Sequence, residues 1–241
     1  MSTAFDYTMR IMDALENKNF SFKNDAIAEL TTCANVFIDS VSDPHTCVMD
    51  FGTGCTNDQG SVRSGIVYIE YNGEKFKDPG TYVHVTFSNF KIDSIEYNGT
   101  FSASNNGYNG DGKLNFTLAA NITAENVNDG NTISGQAAVD AVMVQGGETK
   151  TKEDDLVDFT GYINASTSGG QVFQIDIMNP IELSRSEVCD QVTIGELRIK
   201  QSGYPDKYLD YGSGACDGVA TEIIEGNSQV VNLADYNMFE E

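Results

Sequence analysis

Residues 82–88 read YVHVTFS and residues 114–122 read LNFTLAANI. In the first, Val83, Val85 and Phe87 alternate with Tyr82, His84, Thr86 and Ser88. In the second, Leu114, Phe116, Leu118, Ala120 and Ile122 alternate with Asn115, Thr117, Ala119 and Asn121. Successive side chains of a strand point to opposite faces, so each stretch reads as a β-strand with one face buried and one wet. Phe173, Ile175 and Ile177 repeat the pattern against Val172, Gln174 and Asp176. Working outward, further strands are expected at 34–39, 46–51, 64–71, 92–103, 131–143, 156–164, 191–199, 207–211, 219–224 and 229–233. Turn chemistry separates them: Asp78-Pro79-Gly80, Asn105-Asn106-Gly107, Asn109-Gly110-Asp111-Gly112, Asn128-Asp129-Gly130 and Ser168-Gly169-Gly170. Near Gly195 the apolar phase slips from Val192 and Ile194 to Leu197 and Ile199, which reads as a bulge.

Such short connections leave no room for crossover helices, so a βαβ architecture is excluded. The expected fold is all-β: a long antiparallel meander, curved into an open barrel or folded into a sandwich, as one domain over residues 33–241. Residues 1–32 read as an N-terminal tether in which Phe5, Met9, Met12 and Leu15 approximate the spacing of one short helix.

The 241 residues carry 14 Lys and Arg against 36 Asp and Glu, a net charge of −22 with histidine neutral. Phosphate binding needs clustered cations, so nucleic acid is not an expected partner. Cationic groups, divalent ions and neutral sugars suit this charge better than anionic surfaces. No apolar run approaches the length of a membrane-spanning helix. The opening residues MSTAFDYTMR lack a basic stretch followed by an apolar one, so no signal peptide is expected in them.

Five cysteines occur, none in a C-x-x-C pair, beside only two histidines, so a zinc site of common spacing is not expected. Four of them delimit two similar stretches. Residues 33–55 run C-A-N-V-F-I to D-F-G-T-G-C, and residues 189–216 run C-D-Q-V-T-I to D-Y-G-S-G-A-C. Both read as a hairpin, turning near Ser42–Pro44 in one and Tyr204–Pro205 in the other. A hairpin brings its ends together, so Cys33 can meet Cys55 and Cys189 can meet Cys216; a cross-repeat Cys33–Cys189 bond is the rival pairing. Cys47 is left over, and disulfides imply an oxidising compartment.

The string Asp50-Phe51-Gly52-Thr53-Gly54-Cys55, then Gly60 and Arg63-Ser64-Gly65-Ile66-Val67, resembles a family of secreted lipoproteins of Gram-negative bacteria. The Pro79-Gly80 turn with Val85–Phe90, and the closing element from Leu209 to Thr221, resemble the same family. The resemblance spans roughly residues 33–233. It implies an all-β, lipid-anchored protein of the cell envelope, in the periplasm or on the outer-membrane surface. It brings no catalytic residue with it.

The residues themselves point the same way. There is no G-x-S-x-G elbow, and only His45 and His84 offer an imidazole base. His84 falls on the polar side of its strand beside Tyr82, and His45 follows Pro44 in a turn, where it is expected to be exposed. Asp50 and Asp210 precede G-x-G turns, where a carboxylate accepts backbone N–H bonds. The loops Thr56–Gln59, Asn105–Asp111 and Asn126–Asn131 offer hard oxygen ligands, and calcium is the one cofactor they could hold. The tyrosines Tyr68, Tyr71, Tyr82, Tyr97, Tyr108, Tyr162 and Tyr208 could line a sheet face. Tyr68, Tyr82, His84 and Tyr162 are the expected ligand-face residues, suited to stacking and hydrogen bonding with sugar rings. The function expected is therefore a non-enzymatic envelope protein binding a ligand, glycan or protein partner. A structural or adhesive module is the alternative, and a carbohydrate-active enzyme a lesser one.

Overall fold

Alternation becomes a strand where neighbouring segments complete the backbone hydrogen bonds and one face of the pleat finds apolar partners. The computed structural model describes residues 33–57, 60–73, 77–149, 154–186 and 189–233. The tether and helix expected at 1–32 lie outside them. The described residues hold fourteen strands and no helix. In chain order these are β1 (Asn35–Asp39), β2 (His45–Asp50), β3 (Cys55–Thr56), β4 (Val62–Tyr71), β5 (Tyr82–Ile92), β6 (Ile95–Tyr108) and β7 (Leu114–Asn126). They continue with β8 (Thr132–Gln145), β9 (Leu156–Thr167), β10 (Val172–Ser186), β11 (Cys189–Gln201), β12 (Lys207–Ser213), β13 (Val219–Ile224) and β14 (Asn227–Asn232). They form one sheet in the order β1-β2-β4-β5-β6-β7-β8-β9-β10-β11-β12-β13-β14, with β3 beside β4. This is the expected meander, an antiparallel ladder of sequence neighbours joined by short turns.

The described residues divide into two compact units. The first comprises those up to Asn106 together with Leu118–Gln136, and the second Gly107–Thr117 with those from Ala137 onward. In the first unit Val83, Val85 and Phe87 of β5 are buried, and Val67 and Ile69 of β4 and Cys47 and Met49 of β2 lie on the same side. Phe90 anchors this core, with ring centroids of Phe51, Phe87 and Tyr97 at 5.3, 5.9 and 6.4 Å. In the second unit Ile181, Leu197, Leu209 and Ala220 form the core, packed by Phe159, Ile175, Ile177, Val192, Tyr211, Val231 and Leu233.

Strands of up to 15 residues exceed the usual sheet length, and they are interrupted by bulges. In β5 both Phe87 and Phe90 are buried, which strict alternation forbids. The register with β4 and β6 shifts there, and Asn89 takes φ +48° with its N–H donated to Asn98 Oδ1 at 2.8 Å. Gly65 of β4 faces the bulge: a Cβ on it would overlap the Asn89 carbonyl. The bulge expected near Gly195 is present too, where the register shifts between Ile194 and Glu196 and between Asn179 and Glu182. Pro180 sits inside β10 at this shift, a position where a missing N–H is tolerated, and its carbonyl occupies the space of a Gly195 Cβ.

Several local expectations change. Asn105-Asn106-Gly107 is not a turn but part of β6: Asn105 donates its N–H to Thr81 O and accepts from Gly80 N, extending the ladder. The turn follows at Asn109–Lys113. Tyr97 is core rather than surface: it shares the parity of buried Phe101 and Ala103 on β6, and the bulge in β5 brings Phe90 opposite it. His45 is not exposed in a turn. It opens β2 on the Cys47 side, half-buried, with its ring 5.2 Å from that of Tyr71.

Candidate functional site

The side of the first unit opposite its core is built from β1, β2, β4, β5 and β6. Antiparallel register sets its residues in rows. Phe37, Val48, Tyr68, Thr86 and Thr100 form one row across the five strands. Asp39, Thr46, Glu70, His84 and Ser102 form the next, and Tyr82 and Ser104 the one beyond. Three of the four expected ligand-face residues, Tyr68, Tyr82 and His84, therefore share one face, and the register adds Glu70 between them. The Tyr82 hydroxyl donates to Glu70 Oε1 at 3.3 Å. Burial first, then the charge and hydrogen bond of Glu70, holds the Tyr82 phenol above its usual range. Phe37, 63% exposed, and Ile66 widen the apolar part of the face around Tyr68. Neither stood out in the sequence, because exposure of Phe37 follows from its place on the terminal strand.

Tyr162 lies in the second unit on β9, 45% exposed. Its cross-strand partner is Asp176 of β10. Tyr71 and Tyr97 lie on the core side of the first unit, and Tyr108 and Tyr208 belong to the second. The two histidines of the first unit point to opposite faces of the sheet, since His45 pairs with Tyr71 while His84 pairs with Glu70.

The two cysteine-bounded stretches make their own bonds. Cys33 pairs with Cys55 and Cys189 with Cys216, at Cα–Cα separations of 5.8 and 5.9 Å, so the rival cross-repeat bond is not formed. They close loops of 22 and 27 residues; loops of this size are stabilised by about 3 kcal/mol each in the chain-entropy account. Two disulfides point to an extracytoplasmic setting. Cys47 is the free thiol, and burial pushes its pKa up to about 11.

Each D-aromatic-G element uses its residues alike. Asp50 Oδ1 accepts the Gly52 N–H and Asp210 Oδ1 the Gly212 N–H, both at 2.8 Å. Phe51 is buried, and Tyr211 packs in the second core, where burial pushes its phenol up to about 12. The carboxylates thus hold turns and the rings fill cores.

Two of the three oxygen-rich loops are engaged with themselves, while Asp58 and Gln59 of the Thr56–Gln59 loop lie outside the described residues. Asn109 Oδ1 accepts from the N–H groups of Asp111 and Lys113, both at 3.0 Å, and Asp129 Oδ1 from Asn131 at 2.9 Å. Among the described residues no group of three or more His, Cys, Asp or Glu side chains is placed to hold a metal ion. No helix among them is long and apolar enough to cross a membrane.

Comparison of the chain with protein-family models, curated proteins and solved structures finds no match.

Proposed function

We propose that the protein is a non-enzymatic binding protein of the bacterial cell envelope, lipid-anchored in the manner of the lipoproteins it resembles, that takes a glycan on the outer face of its first unit. One observation carries the reading: Tyr68, Tyr82, His84 and Glu70 converge on one face, among Thr46, Thr86, Thr100, Ser102 and Ser104 and beside the apolar Phe37, Val48 and Ile66. Phenol rings supply flat apolar surface for the C–H faces of a sugar, while Glu70, His84 and the hydroxyls exchange hydrogen bonds with its ring substituents. The excess of acids over bases in the whole chain disfavours an anionic ligand and leaves an uncharged one unopposed. The opposed faces of His45 and His84 and the structural use of Asp50 and Asp210 support a binding rather than a catalytic role.

The test is a thermal-shift screen of the non-reduced protein against polysaccharides, oligosaccharides and fatty acids, each with calcium and with chelator. A ligand of the native state raises the midpoint in proportion to the logarithm of its concentration over its dissociation constant. We expect a saturable shift with one glycan class, weakened about tenfold in affinity by Tyr68→Ala, the loss of one stacking ring. A cooperative melt with no shift across the panel overturns the reading in favour of a structural or adhesive module.

A further inference from the structure

The second unit carries a different arrangement on the side away from its core. Register places Tyr162 of β9, Asp176 of β10, Arg198 of β11 and Tyr208 of β12 in one straight row. The centre of the row is a built polar pair. Arg198 donates through Nε at 3.1 Å and Nη2 at 2.6 Å to Asp176 Oδ2, and Gln174 Nε2 donates to Asp176 Oδ1 at 2.8 Å. Both side chains remain partly open to solvent, 27% for Arg198 and 18% for Asp176. An ion pair this open to water contributes only modestly to stability. Two of the guanidinium's five N–H donors are engaged with Asp176, which leaves the rest for a ligand. Burial alone would raise the Asp176 pKa; the Arg198 and Gln174 hydrogen bonds and the charges of Arg198 and Lys200 outweigh it and hold the carboxyl ionised, below its usual range.

We propose that this row is a second ligand site, for an uncharged oligosaccharide lying across the strands. Three physical features choose that ligand. The central charges cancel, one carboxylate against one guanidinium, on a chain whose net charge is −22, so neither an anion nor a cation is selected. Arg198 and Asp176 together offer donors and acceptors side by side, which matches vicinal hydroxyls that both give and take hydrogen bonds. Tyr162 and Tyr208 flank the pair at three strand spacings from one another, about 14 Å. That span exceeds a single sugar ring and suits a short chain stacked at both ends.

The inference shares the glycan reading of the molecule but not the residues of the first face, so the two fail separately. The probes are linear β-linked glucan, mannan and xylan oligosaccharides, titrated calorimetrically into the full-length, non-reduced protein and its variants. Tyr162→Ala and Tyr208→Ala are each expected to weaken binding about tenfold, and Tyr162→Phe to leave it unchanged, because the ring rather than the hydroxyl stacks. Arg198→Lys is expected to weaken binding as well, since it loses the two-point geometry while keeping the charge. Thermal midpoints of the unliganded variants identify any that fail to fold. Tyr162→Ala, at the exposed end of the row, keeps the test open should Arg198→Lys do so. Loss of binding in the row variants with Tyr68→Ala unaffected supports the second site. Loss of binding in Tyr68→Ala alone overturns the second site and leaves the first. Absence of binding to every probe overturns the second site.

Discussion

At the scale of single residues, several aspartates hold the backbone of their own turns. Asp39 shows this most sharply. Its Oδ1 accepts the N–H groups of Val41 and Ser42 at 2.9 and 3.0 Å, and its Oδ2 accepts the Ser42 hydroxyl at 2.6 Å. The hydroxyl first, then the two amides, pull the Asp39 carboxyl down to about 2. The folded pKa lies below that of an unfolded chain. The contribution of this turn is therefore present above the ordinary carboxylate range and is lost as pH falls toward 2. Carboxyl-detected NMR should find an Asp39 midpoint near 2 in the native protein, rising in Ser42→Ala, which keeps the amides but not the hydroxyl. A native midpoint at the ordinary value, near 4, contradicts this account. The same economy explains Asp50, Asp210, Asn109 and Asp129, whose oxygens were legible in the sequence as ligands or turn formers and serve as turn formers here.

At the scale of elements, strand length and curvature are set by the places where alternation breaks. Gly65 and Gly80 both take φ +84°, but their surroundings differ. A Cβ at Gly80 meets nothing within 4 Å, whereas one at Gly65 collides with the backbone of the Asn89 bulge. Gly80→Ala should therefore cost only left-handed backbone strain, about 1 kcal/mol. Gly65→Ala adds displacement of a paired strand and should cost about 3 kcal/mol or more. Urea melts of the two variants, read at constant slope, check the order; equal losses would mean the bulge yields freely. This also gives the Arg63-Ser64-Gly65 string a physical meaning: its glycine is where β5 presses against β4.

At the scale of the whole molecule, charge works against the exposed ends of the sheet. Among the described residues β1 and β14 are the terminal strands, and they display Phe37 at 63%, Val230 at 73% and, just past β1, Val41 at 92% exposure. Open strand edges with apolar side chains invite pairing between copies, and a net charge of −22 opposes it. Acidification toward about pH 4, where carboxylates neutralise, should raise light scattering. Phe37→Lys should reduce that rise, by adding repulsion at an edge. Scattering that is unchanged by acidification would show that the edges do not associate.

Local chemistry was enough to determine the class of fold. Period-two alternation and Gly, Asn and Asp turns act over a few residues, and short connections force neighbours to pair, so the antiparallel meander was legible directly. So were the two disulfides as one of two open pairings, the spare Cys47 and the turn-holding roles of Asp50 and Asp210. What only the tertiary structure decided is which side chains share a face. A strand's own pattern assigns parity, but each bulge shifts it by one, and register couples residues far apart in the chain. For that reason Phe90 turned inward beyond the Asn89 bulge, opposite Tyr97, while Tyr68, Tyr82 and His84 came together around Glu70. For the same reason the meeting of Asp176 with Arg198, 22 residues on and across a strand with three register shifts, was invisible until the strands were paired.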